Sequence, residues 1–247
     1  MTFKFVSRPG IGRLDEISEW LREEEATCDE GFYCNINVIE KAFRNKEAFC
    51  ITWKNQAIGF LIYSRYKRKG RIEIAEVNPA CRGWGAGRFL VENSMSTFAS
   101  RGVFVVDLEC RPKKSETFWR HMGFSAVPDG VDQNCYSPYN KPIVLFRPTD
   151  EAQSPLFAGG VENVVELWNC APWDCKEDTP KWTWPVQVCQ NSKDLVKPIV
   201  CPANSDWRLR CRLGSTVMFD DRMKYLPDNQ RSSQFVILTR LPEREID

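Results

Sequence analysis

Hydrophobic positions follow two periods along this chain, and the places where the period changes outline its elements. A short apolar stretch over residues 2–7 predicts a strand. Leu14, Ile17, Trp20 and Leu21 then recur at helical spacing among acids and arginines, which predicts a helix over 13–25. Residues 35–44 predict a second helix. Two apolar runs, Phe49 to Trp53 and Ala57 to Tyr66, flank Lys54-Asn55-Gln56 and predict a hairpin. A turn at Lys67 to Gly70 leads to a third run, Arg71 to Val77. Glycines at 83, 85 and 87 then introduce a helix over 86–100, which Gly102 ends as a C-cap. Val103 to Cys110 is a nearly continuous apolar, β-branched run, typical of a buried central strand. A short helix over Ser115 to Met122 closes on Gly123-Phe124, and Pro142 to Arg147 predicts a last strand.

The pattern then loosens. Residues 148–157 read as a linker, with Pro148 and Pro155 bracketing polar residues. Beyond it the apolar runs are short: 161–168, 186–189, 197–201, 207–213 and 235–241. No helix-length amphipathic stretch stands out there. The expected organisation is one domain over 1–149 and a small β-rich domain over 158–247. Trp168, Trp173, Trp182, Trp184 and Trp207 crowd this second part. They suit the core of a small β domain, or else an aromatic recognition surface.

The chain has 247 residues, 43% of them hydrophobic and 27% charged, with a formal net charge of +1. That length fits one α/β domain plus a smaller one. The even charge balance gives no global electrostatic case for nucleic acid or an anionic membrane surface. No apolar run approaches the roughly 20 residues that span a bilayer. The first ten residues lack the charged-then-apolar order of a signal peptide. A soluble, cytoplasmic protein is therefore expected. The cysteines number eleven, are spread along the chain and include no CxxC pair. They are expected as reduced thiols, and no metal site is expected.

The chemistry concentrates at Glu76-Val77-Asn78-Pro79-Ala80-Cys81-Arg82-Gly83-Trp84-Gly85-Ala86-Gly87-Arg88. A strand runs into glycines and opens a helix. Glycines let backbone N–H groups approach an anion, and the helix start adds unpaired N–H groups and a positive dipole end. The absence of a GK[ST] ending rules out a P-loop, and no ribose-binding acid follows at the spacing of a dinucleotide fold.

Arg82-x-x-Gly85-x-Gly87 resembles the R/Q-x-x-G-x-G/A motif of the GNAT acetyltransferase superfamily. Phe118-Trp119-Arg120-His121-Met122-Gly123-Phe124 is similar to the family's Y-x-x-x-G-F segment. The order of elements agrees as well, and the resemblance covers residues 2–147. It implies an α/β (α+β) fold: a mixed, mostly antiparallel sheet with helices on both faces. It also implies acetyl-CoA as cosubstrate. The main chain of Ala75 and Val77 would hold the pantetheine. The N–H groups of Gly83, Trp84, Gly85, Ala86, Gly87 and Arg88 would hold the pyrophosphate. Arg82 would contact it or brace the loop. Ser115 and Trp119 would line the donor site, and Lys113 and Lys114 would meet the 3′-phosphate.

The reaction implied is attack of a primary amine, on a small molecule or a protein, upon the thioester. A protonated amine is no nucleophile, so a base is needed. Strict alternation along the strand groups Glu73 with Arg71, Ala75 and Val77 and sets Glu76 apart. Glu73 and Glu109 are the candidate bases. The family's usual tyrosine acid is replaced by Trp119, which has no hydroxyl to donate; Tyr136, Tyr139 and His121 are the nearest substitutes in sequence. Two other readings stand beside this one. One is an acyl-CoA sensor without catalysis. The other is a toxin-type transferase acting on charged tRNA, which the neutral charge argues against. Self-pairing as a homodimer stays open.

Overall fold

The computed structural model describes residues 2–28, 31–131, 142–149, 152, 163–175, 179–189 and 192–242. The chain divides into two compact units. One comprises Met1–Ser125 and Pro142–Thr149, the other Ala126–Lys141 and Asp150–Asp247.

The first unit is built on a mixed sheet of order β1-β2-β3-β4-β5-β7-β6. Its strands are β1 Lys4–Val6, β2 Ala48–Trp53, β3 Gln56–Tyr66, β4 Lys69–Val77, β5 Val105–Cys110, β6 Ser125–Ala126 and β7 Ile143–Pro148. The helices are α1 Ile11–Cys28, α2 Ile36–Arg44, α3 Ala86–Ser100 and α4 Glu116–His121. Alternation along the strands divides the apolar residues between the two faces. Ala48, Cys50, Phe60 and Ile62 pack against Leu14, Ile17 and Leu21 of α1 and Ile39 and Phe43 of α2. Phe49, Ile51, Leu61 and Tyr63 pack on the other face against Leu90, Val91, Met95 and Phe98 of α3 and Trp119 of α4. At the centre of that face Phe49 stacks on Tyr63 at 4.6 Å, and Phe98 stands edge-on to both. This is the fold class that the resemblance implies.

One irregularity matters for the site. In the β3–β4 ladder Ile62 pairs with Ile74 and Tyr63 with Ile72, so Glu73 is an extra residue on β4. A bulge of this kind bends the strand and re-aims its side chains. Ile72 faces α3 and Ile74 faces α1 and α2. Ala75 and Val77 return to the α3 face. The alternation used to group Glu73 with Ala75 and Val77 therefore fails at Glu73 itself.

The second unit pairs a four-stranded sheet, β12-β11-β8-β9, with a three-stranded one, β10-β14-β13. The strands are β8 Val164–Leu167, β9 Trp182–Pro185, β10 Asp194–Pro202, β11 Arg208–Leu213, β12 Thr216–Arg222, β13 Arg231–Ser232 and β14 Phe235–Arg240. Val165, Trp184, Ile199, Trp207, Leu209 and Leu238 share one core. Val127 packs against that core and Val131 is part of it, although both precede β7 in sequence. The stretch from 148 also departs from the expected linker. β7 runs through Pro148, and the Thr149 N–H donates to the Phe104 carbonyl at 3.1 Å.

The expectation of reduced thiols throughout does not hold. Cys170 and Cys175 are joined by a disulfide, their Cα atoms 5.7 Å apart, within the span such a bond bridges. Among the described residues no group of His, Cys, Asp and Glu is gathered as for a metal ion. No helix among them is long and apolar enough to cross a membrane.

Candidate active site

The site begins where two strands part. β4 and β5 pair in parallel from Lys69↔Val105 to Ile72↔Leu108, and there the ladder stops. β5 continues beside β7 as far as Cys110↔Ile143, and β4 continues beside β3 as far as Gly59↔Val77. The parting coincides with the bulge at Glu73. From Glu73 to Val77, β4 presents to the gap a backbone edge without ladder pairing among the described residues. Backbone N–H and C=O groups seek partners, so this edge is suited to an extended chain laid alongside it.

The phosphate loop lies at the end of β4. Gly83 and Gly85 have φ of +80° and +84°, a region open to glycine at little cost. A Cβ at either position would meet nothing within 4 Å, so the loop faces open space. Gly87 is small for another reason: a Cβ there would come within 3.3 Å of the Phe118 ring. Gly85 is the N-cap of α3, and no side chain caps that helix. Its first N–H groups thus lack helical partners. Among the described residues no hydrogen bond takes the N–H of Gly83, Trp84, Gly85, Ala86, Gly87 or Arg88. The Trp84 side chain is not directed at an anion; its ring stands edge-on to Trp53 at 5.4 Å and ties the loop to the β2–β3 hairpin. Arg88 is exposed on the first turn of α3.

Arg82 is a brace. Its Nε donates to the Val77 carbonyl at 3.0 Å, and its Nη2 donates to Glu24 at 2.6 Å and Glu76 at 2.9 Å. Burial lowers the affinity of this guanidinium for its proton, but bonds and charges from Glu24 and Glu76 outweigh it and raise its pKa. Burial also pushes the Glu76 carboxyl above its ordinary range, against the pull of Arg82. The sequence reading passed over Glu24. It falls on the apolar stripe of α1, at helical spacing from Ile17 and Leu21, and a carboxylate on such a stripe demands a partner.

The two expected bases meet around a different arginine. Arg71 lies 3.6 Å from Glu73, 3.6 Å from Asp107 and 3.7 Å from Glu109. Glu73 also accepts from Ser64 Oγ at 2.6 Å, Glu109 pairs with Arg111, and Asp107 pairs with Lys69 at 2.8 Å. Glu73 and Glu109 thus stand together at the parting of the strands. Ala75 and Val77 lie on the opposite face of β4 from Arg71 and Glu73, since both pack with the α3 core.

The remaining expected residues sit around α4. Trp119 is 7% exposed and packs edge-on to Phe118 and Phe124, as a core residue. Ser115 Oγ donates to the Pro112 carbonyl at 2.9 Å and lies 3.3 Å from the Cys110 thiol. Lys113 and Lys114 are exposed just before this helix. His121 is exposed and spends its Nδ1 on the Thr117 carbonyl. Tyr136 and Tyr139 lie outside the described residues.

Residues 14–124 match the family model described as Acetyltransferase (GNAT) family. This stretch is a GNAT acetyltransferase domain. Among solved structures the chain is similar to Ard1 from Thermoplasma volcanium, with 20% identity over 61% of this chain and 100% of that one, at a TM-score of 0.46. It is similar to the ribosomal-protein-S18-alanine N-acetyltransferase from Escherichia coli, with 17% identity over 64% and 100% of the chains and a TM-score of 0.45. The PaiA N-acetyltransferase from Thermoplasma acidophilum, in complex with coenzyme A, shows 14% identity over 60% and 99%, again at 0.45. Comparison with curated proteins gave no significant match.

Proposed function

We propose that this protein transfers an acetyl group from acetyl-CoA to a primary amine. The observation that carries the reading is the parting of β4 and β5 after Ile72↔Leu108, beside a helix start whose N–H groups are unspent. The N–H groups from Gly83 to Arg88 suit a pyrophosphate. The open edge of β4 at Ala75 suits the pantetheine amides; at Val77 the N–H donates to Glu76 and the carbonyl accepts from Arg82, so a pantetheine there would have to share or replace those bonds. Arg88, Lys113 and Lys114 offer charge to the outer phosphates, and Arg82 holds the loop in register.

In the reaction the amine nitrogen bonds to the acetyl carbon and the carbon–sulfur bond breaks. An ammonium acceptor gives up two protons in all; one ends on the CoA thiol and one goes to solvent. Glu73 or Glu109 takes the proton that frees the amine for attack. Trp119 has no proton of the needed kind to return; water supplies it. That same residue favours one rival, a donor-binding sensor that turns nothing over. The test is purified protein with acetyl-CoA and a panel of primary amines, following free thiol. Thiol release that depends on the amine is expected. Tight CoA binding without release on any amine sinks the transferase reading and favours the sensor.

A further inference from the structure

One side chain of the second unit breaks the usual rule for its kind. Trp173 is 67% exposed, the most open of the large apolar side chains among the described residues. Tryptophan carries a large apolar area and is highly buried on average. Its loop is not slack. The Cys170–Cys175 disulfide closes it, Ala171 is buried, and the Ala171 carbonyl accepts from the N–H groups of Asp174 at 2.9 Å and Cys175 at 3.2 Å. The Cys170 carbonyl accepts from the Arg208 N–H at 2.9 Å, which ties the loop to β11. A second open ring stands beside it. Tyr225 is 53% exposed, on a turn anchored by the buried Met223 and Leu226. The Arg222 guanidinium, at the end of β12, lies 4.9 Å from the centre of the Trp173 ring and 4.7 Å from that of Tyr225. Neighbouring exposed rings mark a recognition surface where a single one would not, and Trp, Tyr and Arg dominate binding energy at interfaces.

Charge and hydrogen bonding narrow the occupant. Asp206 pairs with Arg222 at 3.3 Å and with Lys224 at 2.8 Å, and Asp174 and Asp221 stand exposed next to Trp173 and Arg222 in sequence. The cations are thus balanced by acids and do not call for an anion. Arg222 Nη2 donates to the Tyr225 hydroxyl oxygen, which leaves the hydroxyl proton to be given outward. The Trp173 indole N–H can only donate. Flat rings with outward donors suit a ligand that has apolar faces and carbonyls but few N–H groups. We propose that Trp173, Arg222 and Tyr225 form a docking platform for a proline-rich segment of another protein in the polyproline II form. Prolines pack on the rings, and their carbonyls, which no N–H within the segment satisfies, accept from the platform. The spacing agrees: the ring centres are no more than about 10 Å apart, and one three-residue turn of polyproline II rises about 9 Å. The segment is stiff before it binds and the tryptophan loop is closed by a disulfide, so neither side gives up much freedom. This surface serves whether or not the first unit transfers acetyl groups.

The test titrates the full chain by calorimetry with N-acetylated decaproline. A Gly-Ser peptide of the same length is the flexible control, and cellopentaose is the sugar control. Decaproline should bind and neither control should. Trp173→Ala removes an exposed ring, so the circular dichroism of the fold should stay unchanged while decaproline affinity falls at least tenfold. Tyr225→Ala should lower it at least threefold. No binding of decaproline, equal binding of the Gly-Ser peptide, or unchanged affinity in Trp173→Ala overturns the proposal. Binding of cellopentaose in place of decaproline overturns it as well and makes the platform a sugar site.

Discussion

Two arginines organise carboxylates on the first unit, and they do so differently. Arg71 sits amid Glu73, Asp107 and Glu109 at 3.6–3.7 Å, loose contacts around a cation that none of them monopolises. Arg82 makes three short bonds and holds a glutamate from α1, a glutamate from β4 and a main-chain carbonyl in one fork. The first group lies where the strands part and contains the candidate bases. The second lies where β4 becomes the phosphate loop. Geometry thus separates a cluster whose members can exchange partners from one that fixes a loop in place. A planar guanidinium with several donors suits the second task in a way a lysine would not.

The contrast can be broken experimentally. Arg82→Ala strands two carboxylates, one of them buried, and should cost roughly 3 kcal/mol of stability in urea unfolding. A loss under about 1 kcal/mol would show that the fork is ornamental. Next comes turnover. Glu73→Gln or Glu109→Gln should lower kcat about 100-fold, or about 2.7 kcal/mol of barrier, with little change in acetyl-CoA affinity. Full activity in both variants removes the base from this cluster. Arg71→Ala should cost no more than about 1 kcal/mol, because its contacts are longer, Glu73 and Glu109 are partly exposed, and Lys69 still holds the buried Asp107 at 2.8 Å. A penalty matching that of Arg82→Ala would erase the distinction. The smallest effect is a pH dependence. Burial raises the Glu76 carboxyl, so the fold favours its neutral form. That contribution is full below the ordinary carboxylate range and is lost as pH rises through the folded value. Glu76→Gln keeps the neutral form, so its stability relative to the wild type should rise as pH climbs above the ordinary carboxylate range. Unfolding curves over that range with the reverse trend would contradict the assignment.

How much of this was legible in the residues varies with how local each signal is. Gly83, Gly85 and the helix they open are marked by short-range conformational demands, and α3 occupies residues 86–100 as the pattern predicts. The bulge is not marked, because Ile72-Glu73-Ile74 reads as regular alternation and only the opposing strand reveals the extra residue. β12 was missed because it is an edge strand, largely exposed and ending in Asp220, Asp221 and Arg222. β9 was missed because Trp182–Pro185 is four residues long. The Cys170–Cys175 pair has a sequence separation of 5 and not the CxxC spacing that would mark it. Trp84 shows a further gap: only its main chain entered the expectation, while its contact with Trp53 depends on a hairpin about thirty residues away in sequence.

The stretch 126–131 carries a consequence for how this protein is made. Val131 is buried among residues of the second unit, and the Gly130 carbonyl accepts from Asn204 Nδ2 at 2.8 Å. These residues leave the ribosome well before Asn204, Trp207 and Leu238 exist. Domains usually fold as they emerge, first part first. Here residues 127–131 must wait, unhoused, for the end of the chain. A fragment stopping at residue 149 would never house them, so no single cut releases two whole modules.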